Sequence, residues 1–227
     1  MNTCLAPCPV VFDLDGTLID SAPDIHAAAN AVLRLHGARP LTLDQIRSFV
    51  GGGVDVLWHR IEHAAGLPAE MHRDLLASFM TRYHDASSLT RLYPNVIEML
   101  GQLADRGHPL GICTNKPMVP TLAILDHFGI AGIFQAVIAG DSLPQKKPDP
   151  EPLRATFAAL GAHPQRPSGL FVGDSEFDAQ CARNARVPFL IFTKGYRNTP
   201  LEQMTFAESF DDHARLPALV EARRLAD

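Results

Sequence analysis

Two aspartates separated by one residue, Asp13 and Asp15, follow a short apolar run and precede Gly16. Polar side chains stand after later apolar runs in the same way: Thr114, Asn115, Lys147, Asp174 and Asp178. Clustered carboxylates repel one another, and a hard divalent cation with oxygen ligands relieves that repulsion. Lysine, hydroxyl and amide donors are the groups that bind a phosphate dianion. If the fold brings them together, these residues predict a Mg²⁺ site beside a phosphate site.

Short apolar, β-rich runs precede these polar residues and recur at 10–12, 110–113, 136–139, 170–172 and 189–192. Continuous apolar runs of this length are typical of parallel strands buried on both faces. Helical patterns alternate with the later runs, at 96–106, 120–128, 152–160 and 177–184. We therefore predict an α/β fold with a doubly wound parallel sheet, in which ligands bind outside the carboxyl ends of the strands.

The stretch between the first two predicted strands shows helical spacing and no strand pattern. We predict a helical cap domain at 21–88, inserted into an α/β core domain formed by 1–20 and 89–227. Ser21, with an acidic residue, Asp24, three positions on, predicts the N-cap of the first cap helix. Gly51-Gly52-Gly53 lacks the Gly-Lys-Ser/Thr ending of a nucleotide-binding loop, so we predict a loop between cap helices.

Charge and hydropathy exclude two classes of partner. The formal net charge is -5, and the basic residues form no run, so we expect no nucleic-acid partner. No apolar run approaches the ~20 residues that span a bilayer, so we expect no membrane partner. Pro7, Pro9 and Asp13 interrupt the apolar N-terminal stretch, which does not resemble a signal peptide. We expect a cytoplasmic protein, either a monomer or a small homo-oligomer.

Two further sets of ionisable residues have an open role. His59, Glu62 and His63 share one helical face, but they lack the ligand spacing of known zinc motifs, so we predict a solvated face. Lys116 stands at a predicted helix start, where the helix dipole disfavours a cation. Its position indicates either a nearby anion or exposure to solvent.

Four segments together resemble the motifs of haloacid dehalogenase superfamily phosphatases with a helical cap, and phosphoglycolate phosphatases most of all. The segments are Asp13-Leu14-Asp15-Gly16-Thr17-Leu18, Thr114-Asn115, Lys147-Pro148-Asp149-Pro150, and Gly173-Asp174-Ser175 with Asp178. Each follows a predicted strand, in the family's order, and the resemblance covers nearly the whole chain. It implies a Rossmann-like core with the inserted cap and a small phosphorylated metabolite as substrate.

The resemblance also implies a role for each matched residue. Asp13, which its reference pKa of about 3.9 leaves ionised at neutral pH, would attack phosphorus and form an aspartyl-phosphate. Asp15 would protonate the leaving oxygen and later take a proton from water. The metal ligands would be Asp13, the Asp15 carbonyl and Asp174.

The remaining roles concern phosphate and the leaving group. Lys147 and Thr114 would hold the phosphate oxygens, with further contacts from Gly16 and Asn115. Asp178 would orient its neighbours, and Gly53 would face the leaving group.

The substrate that we expect is 2-phosphoglycolate, with sugar phosphates, nucleotides and pyrophosphate as alternatives. A phosphomutase resembling β-phosphoglucomutase would keep the same motifs. Outside enzymes, a phospho-receiver signalling domain also combines aspartates, a hydroxyl and a lysine at strand ends. The predicted cap and Asp15 favour the enzyme, and repeated phosphate release would distinguish the two.

Overall fold

The computed structural model describes residues 7–84, 86–162 and 169–224, and it contains a parallel sheet of six strands. In spatial order the strands are β5 (Ala136–Ile138), β4 (Leu110–Cys113), β1 (Val10–Phe12), β6 (Leu170–Gly173), β7 (Phe189–Phe192) and β8 (Glu208–Phe210). Every neighbouring pair is parallel. The predicted fold class is confirmed.

Helices alternate along the chain with most strands of this sheet, and a last helix follows β8. They are α5 (Val96–Asp105), α6 (Met118–His127), α7 (Glu151–Ala159), α8 (Glu176–Ala185) and α9 (Leu216–Arg224). The central strand shows why the sheet needs helices on both faces: Val10 and Phe12 pack into one apolar cluster and Val11 into another, and all three are fully buried. Because side chains alternate along a strand, a continuous apolar run supplies both clusters.

The cap consists of α1 (Ala22–Leu35), α2 (Leu43–Phe49), α3 (Val54–Ala65) and α4 (His72–Tyr83). Its apolar core contains the stacked rings of Trp58 and Phe79, and one core-domain side chain, Tyr196, joins it. A two-stranded antiparallel ladder, β2 (Ile19–Asp20) with β3 (Arg91–Leu92), connects the cap to the sheet domain. The predicted cap bounds of 21–88 stay a prediction.

Three strands and two helices, α2 and α9, have no counterpart among the predicted elements. The strands β2 and β3 have two residues each, too few to show a period, and β8 buries only Phe210 fully. Helix α2 is short as well, although Thr42 and Gln45 form a capping box at its start, which is a sequence signal for a helix. Ser21 is the N-cap residue of α1, as predicted, but its side chain does not cap the helix. The side chain donates to Asp15 Oδ1 at 2.6 Å instead, and Asp24 accepts from Thr90.

Across the described parts of the chain, no helix is both long enough and apolar enough to span a membrane.

Candidate active site

Asp13 lies at the carboxyl end of β1, where its backbone N–H donates to the Val172 carbonyl of the neighbouring strand at 2.9 Å. Its side chain is buried, and Lys147 Nζ lies 2.8 Å from Oδ1. That contact is an ion pair, and no other described group donates to Oδ1. A buried carboxylate oxygen with so few partners can accept a further ligand, such as an ion.

Asp174 follows β6 and is fully buried. Thr17 Oγ1 donates to its Oδ1 at 2.6 Å, and the Tyr196 backbone N–H donates to its Oδ2 at 2.7 Å. Gly16 has a φ of 87°, and a Cβ at this position would lie 2.5 Å from Asp174 Oδ2. The backbone N–H of Gly16 donates to the Ile19 carbonyl at 2.8 Å. The structure therefore explains this glycine by the close approach of Asp174, and its predicted phosphate contact stays a prediction.

Asp178, in the first turn of α8, is a hub for its neighbours. It accepts from Lys147 Nζ at 2.6 Å through Oδ1, and from the Ser175 hydroxyl at 2.6 Å and backbone N–H at 3.1 Å through Oδ2. These contacts fix Lys147 beside Asp13 and hold the loop that carries Asp174. They support the orienting role that the motif implied for Asp178.

Asn115 fastens the same lysine from the backbone side. Its Oδ1 accepts from the Lys147 N–H, and its Nδ2 donates to the carbonyls of Lys147 and Gly51, each at 2.9 Å. Because Gly51 belongs to the cap loop before α3, this amide also ties the cap to the core. Both atoms of the Asn115 amide group are thus bonded to backbone groups and position Lys147, and a contact of Asn115 with phosphate stays a prediction.

The carboxylates of Asp13, Asp174 and Asp178 offer oxygen atoms within 4.8 Å of one another. Burial raises the pKa of Asp13 to about 7; Lys147 opposes this rise and Asp178 adds to it. Burial also raises the pKa of Asp174, with Asp178 and Asp13 adding to the rise. A pKa near 7 leaves Asp13 only partly ionised at neutral pH without a cation, and its full ionisation in the working protein stays a prediction. These three carboxylates are buried and close together, and among the described residues only Lys147 contacts Asp13 Oδ1, so their oxygen atoms fit a hard divalent cation such as Mg²⁺.

Asp15 faces a second set of partners. It accepts from Ser21, and Lys116 Nζ lies 3.1 Å from its Oδ1 and 3.3 Å from its Oδ2. Lys116 also donates to the hydroxyl of Tyr83, the last residue of α4 in the cap. Lys116 is buried and paired with an anion, so the first of its two alternatives is the correct one.

Core and cap enclose a cleft of about 430 Å³. Its polar lining comes from Asp13, Asp15, Thr114, Asn115, Lys116 and Tyr83. The rest comes from the cap residues Ile25, Val50, Gly51, Gly53, Val54 and Leu57 and from Pro117. The nucleophile and acid/base candidates thus face the same cleft, and Gly53 lies on the cap side as the motif implied.

The chain was compared with known proteins and structures. A family model described as haloacid dehalogenase-like hydrolase matches residues 10–192. The chain belongs to this family. It is 47% identical over 219 residues to a phosphoglycolate phosphatase of Rhodobacter capsulatus, covering 96% of this chain and 98% of that protein. It is 38% identical over 217 residues to a phosphoglycolate phosphatase of Rhodospirillum rubrum, covering 92% of this chain and 89% of that protein.

A solved structure gives the same result for the fold. The crystal structure of a predicted phosphoglycolate phosphatase from Haemophilus somnus 129pt superposes with a TM-score of 0.88 at 32% identity, covering 94% of this chain and 97% of that one. The resemblance seen in the four motifs is confirmed, and so is the family's Rossmann-like core.

Three contacts of this family member were not predicted from its sequence. Thr17 lies inside the first motif, but only the structure shows that it binds Asp174. Tyr83 and Tyr196 come from segments far from any motif, and no local signal identifies them. For Lys116 a signal existed, since a buried cation at a helix start requires an anion.

Proposed function

We propose that this family member is a Mg²⁺-dependent phosphatase that hydrolyses 2-phosphoglycolate through an aspartyl-phosphate at Asp13. The observation that carries the proposal is that Asp13 and Asp15 line one cleft, each ion-paired to a different buried lysine. The names of the curated relatives support the same activity. We further propose that 21–88 is the cap domain and that the protein acts in the cytoplasm.

In the first step, a carboxylate oxygen of Asp13 attacks phosphorus as the bond to the leaving oxygen breaks. Lys147 and the Thr114 hydroxyl would hold the phosphoryl oxygens, since Lys147 already lies beside Asp13 and Thr114 lines the cleft. Mg²⁺ bound by Asp13, the Asp15 carbonyl and Asp174 would neutralise charge between the dianion and the carboxylate. Asp178 keeps Lys147 in place throughout.

Asp15 would take up a proton before the first step, give it to the leaving oxygen, and then accept one from the water that hydrolyses the phosphoenzyme. Ser21 and Lys116 fix the direction of its carboxyl group toward the cleft. Since Ser21 starts the first cap helix, the orientation of Asp15 depends on where the cap lies.

The substrate assignment depends on Lys116. In 2-phosphoglycolate a single methylene separates the leaving oxygen from a carboxylate, so any cation that contacts Asp15 lies within reach of that carboxylate. Lys116 is such a cation, and the Tyr83 hydroxyl beside it can donate a further hydrogen bond. The other cap walls are apolar, including Ile25, Val50 and Leu57. They offer no partners for the hydroxyls of a sugar phosphate, which favours the carboxylate substrate over a phosphomutase reaction.

A phosphate-release panel tests both levels of the proposal. It compares 2-phosphoglycolate with glucose phosphates, nucleotides, pyrophosphate and an aryl phosphate, with Mg²⁺ and with chelator. We expect repeated turnover that requires Mg²⁺ and is fastest for 2-phosphoglycolate. Preference for a sugar phosphate would refute the substrate assignment, and release of only one equivalent would indicate a phospho-receiver.

The variant Lys116→Met then tests the carboxylate contact. It should lower kcat/KM for 2-phosphoglycolate about 10 to 100 times more than for the aryl phosphate, because a charged hydrogen bond is worth about 1.5–3 kcal/mol. The aryl leaving group needs Asp15 less than the alkyl leaving group does, so the same ratio is measured in Asp15→Asn, and only a loss of selectivity in Lys116→Met beyond that of Asp15→Asn counts as the carboxylate contact. The exposed Lys194→Met is the matched control. An equal loss on both substrates would contradict the assignment of Lys116.

A further inference from the structure

A second group of ionisable side chains lies in the cap, and none of its members lines the cleft. It consists of Asp55, His59 and Glu62 on α3 and His72 at the start of α4. The solvated face predicted for His59, Glu62 and His63 is wrong for Glu62, which is buried with 4% of its surface exposed. His63 is exposed, and none of the contacts described here includes it. We name the four residues Asp55, His59, Glu62 and His72 the cap cluster.

The two imidazoles of the cap cluster are stacked, with ring centroids 3.9 Å apart and planes 11° from parallel. Both turn the same edge toward the same acid. His72 Nδ1 lies 2.9 Å and His59 Nδ1 3.5 Å from Glu62 Oε2. On the opposite edge, His72 Nε2 lies 3.2 Å from Asp55 Oδ1 and His59 Nε2 3.9 Å from Asp55 Oδ2.

This arrangement assigns the protons. A carboxylate buried as deeply as Glu62 needs donors, so the Nδ1 edge of His72 carries the N–H that it accepts. A neutral His72 then directs the lone pair of Nε2 at a carboxylate oxygen of Asp55, which is repulsive unless a cation lies between them. A proton on Nε2 serves at acidic pH, and the hydrogen bond that His72 donates to Glu62 raises the pKa of His72, which extends this protonated state toward neutral pH. Near neutral pH a metal ion can take the same place.

We propose that the cap cluster binds a first-row transition-metal ion of the Zn²⁺ class through Asp55 and the Nε2 atoms of His59 and His72. Glu62 orients the rings from behind, as carboxylates do for metal-binding histidines. Two ligand atoms of a tetrahedral zinc lie about 3.3 Å apart at ordinary bond lengths. The Asp55–His72 distance of 3.2 Å already has this value.

The remaining ligand is free to adjust. His59 is half-exposed, with 58% of its side chain accessible, so rotation of its ring brings Nε2 closer to Asp55. The mixed nitrogen and oxygen donors suit zinc, cobalt or nickel, whereas the all-oxygen set at Asp13 and Asp174 suits Mg²⁺. The chain therefore carries two sites with opposite metal preferences. Because α3 and α4 both supply ligands, the ion would stabilise the cap.

Titration calorimetry with Zn²⁺, and visible absorption with Co²⁺, test the site on the full-length protein in excess Mg²⁺. We expect one equivalent of Zn²⁺ to bind and to raise the melting temperature. His59→Ala and Asp55→Asn should weaken binding by at least about tenfold, and Glu62→Gln by about 10–100-fold. The matched control is His63→Ala, which removes an exposed histidine of the same helix and should leave binding unchanged.

The opposite results are equally clear. Zn²⁺ affinity that is the same in His59→Ala and the unaltered protein, or lost in Asp174→Asn, would place the ion at the catalytic carboxylates and overturn the proposal. Absence of binding in the unaltered protein would overturn it as well. His59 is exposed, so its variant tests the ligand without risk to the cap core, and circular dichroism verifies the fold of each variant.

Discussion

The two buried lysines of the active site divide it into unlike halves. Lys147 contacts Asp13 and Asp178, so its partners all come from the core. Lys116 contacts Asp15 in the core and Tyr83 in the cap. Burial opposes the charge of both lysines, but their carboxylate neighbours outweigh it and raise the pKa of each. Both lysines are therefore charged at neutral pH.

This difference between the partners of the two lysines indicates that one half of the site serves the reaction and the other selects the substrate. The half around Lys147 takes its charged partners from the core alone, and it would handle the phosphoryl group, which every substrate shares. The half around Lys116 includes two cap residues, since Tyr83 contacts Lys116 and Ser21 contacts Asp15, and it would meet the leaving group, which differs between substrates. Substitutions in the first half should abolish activity on all substrates, and those in the second should alter preference.

Asp13→Asn should have the largest effect, because the amide keeps the shape of the side chain but cannot attack phosphorus. We expect turnover of 2-phosphoglycolate and of an aryl phosphate to fall by at least about 10⁴-fold, a size typical of removing a nucleophile. Initial-rate assays with both substrates measure it. Retained activity on either substrate would show that this half does not serve all substrates.

The same variant has a built-in control for folding. The raised pKa of Asp13, about 7 in the folded protein against 3.8 as a free group, means that folding costs free energy above pH 7. The cost disappears as the pH falls below 3.8. Without Mg²⁺ at pH 8, Asp13→Asn should therefore be at least as stable as the unaltered protein in denaturant titrations.

Asp15→Asn should have the next largest effect, because the acid/base group contributes about 10²–10⁴-fold to each proton transfer. An aryl leaving group needs little protonation, so phosphoenzyme should form from the aryl phosphate and then persist for lack of a base. Acid quenching and intact-mass measurement detect the added phosphate. If the phosphate is lost as fast as in the unaltered protein, Asp15 is not the base for hydrolysis.

The half around Lys147 was largely predictable from sequence, whereas in the other half only Asp15 was assigned and the contacts of Lys116 with the cap were not. Asp13, Asp174 and Lys147 follow apolar runs in motif order, and a parallel sheet must place such residues at one edge. Tyr83 ends a cap helix, and its contact with Lys116 depends on how the cap packs against the core. The proposed metal site in the cap was not predictable either, because His72 contacts Glu62 only through the packing of α4 on α3. Packing between helices that are distant in sequence, within the cap or between cap and core, leaves no local pattern in a sequence.

Tyr83→Phe should have the smallest effect and tests the boundary between the halves most finely. Burial raises the pKa of the Tyr83 hydroxyl to about 12, so it is neutral and can accept from Lys116 while it donates to a substrate carboxylate. Phenylalanine keeps the stacking on Phe79, whose ring centroid is 5.0 Å away, and removes only the hydroxyl. A neutral hydrogen bond is worth about 0.5–1.5 kcal/mol, so KM for 2-phosphoglycolate should rise about two- to tenfold.

Comparison of substrates decides the Tyr83 prediction. KM for the aryl phosphate and kcat for both substrates should change less than about twofold, because the phosphoryl half is untouched. Tyr93→Phe, which removes a hydroxyl outside the cleft, is the control for a general effect of losing a tyrosine hydroxyl. If Tyr83→Phe lowered kcat equally for both substrates, the hydroxyl would act on the chemistry through Lys116 and Asp15. The division between a core that reacts and a boundary that selects would then fail at this residue.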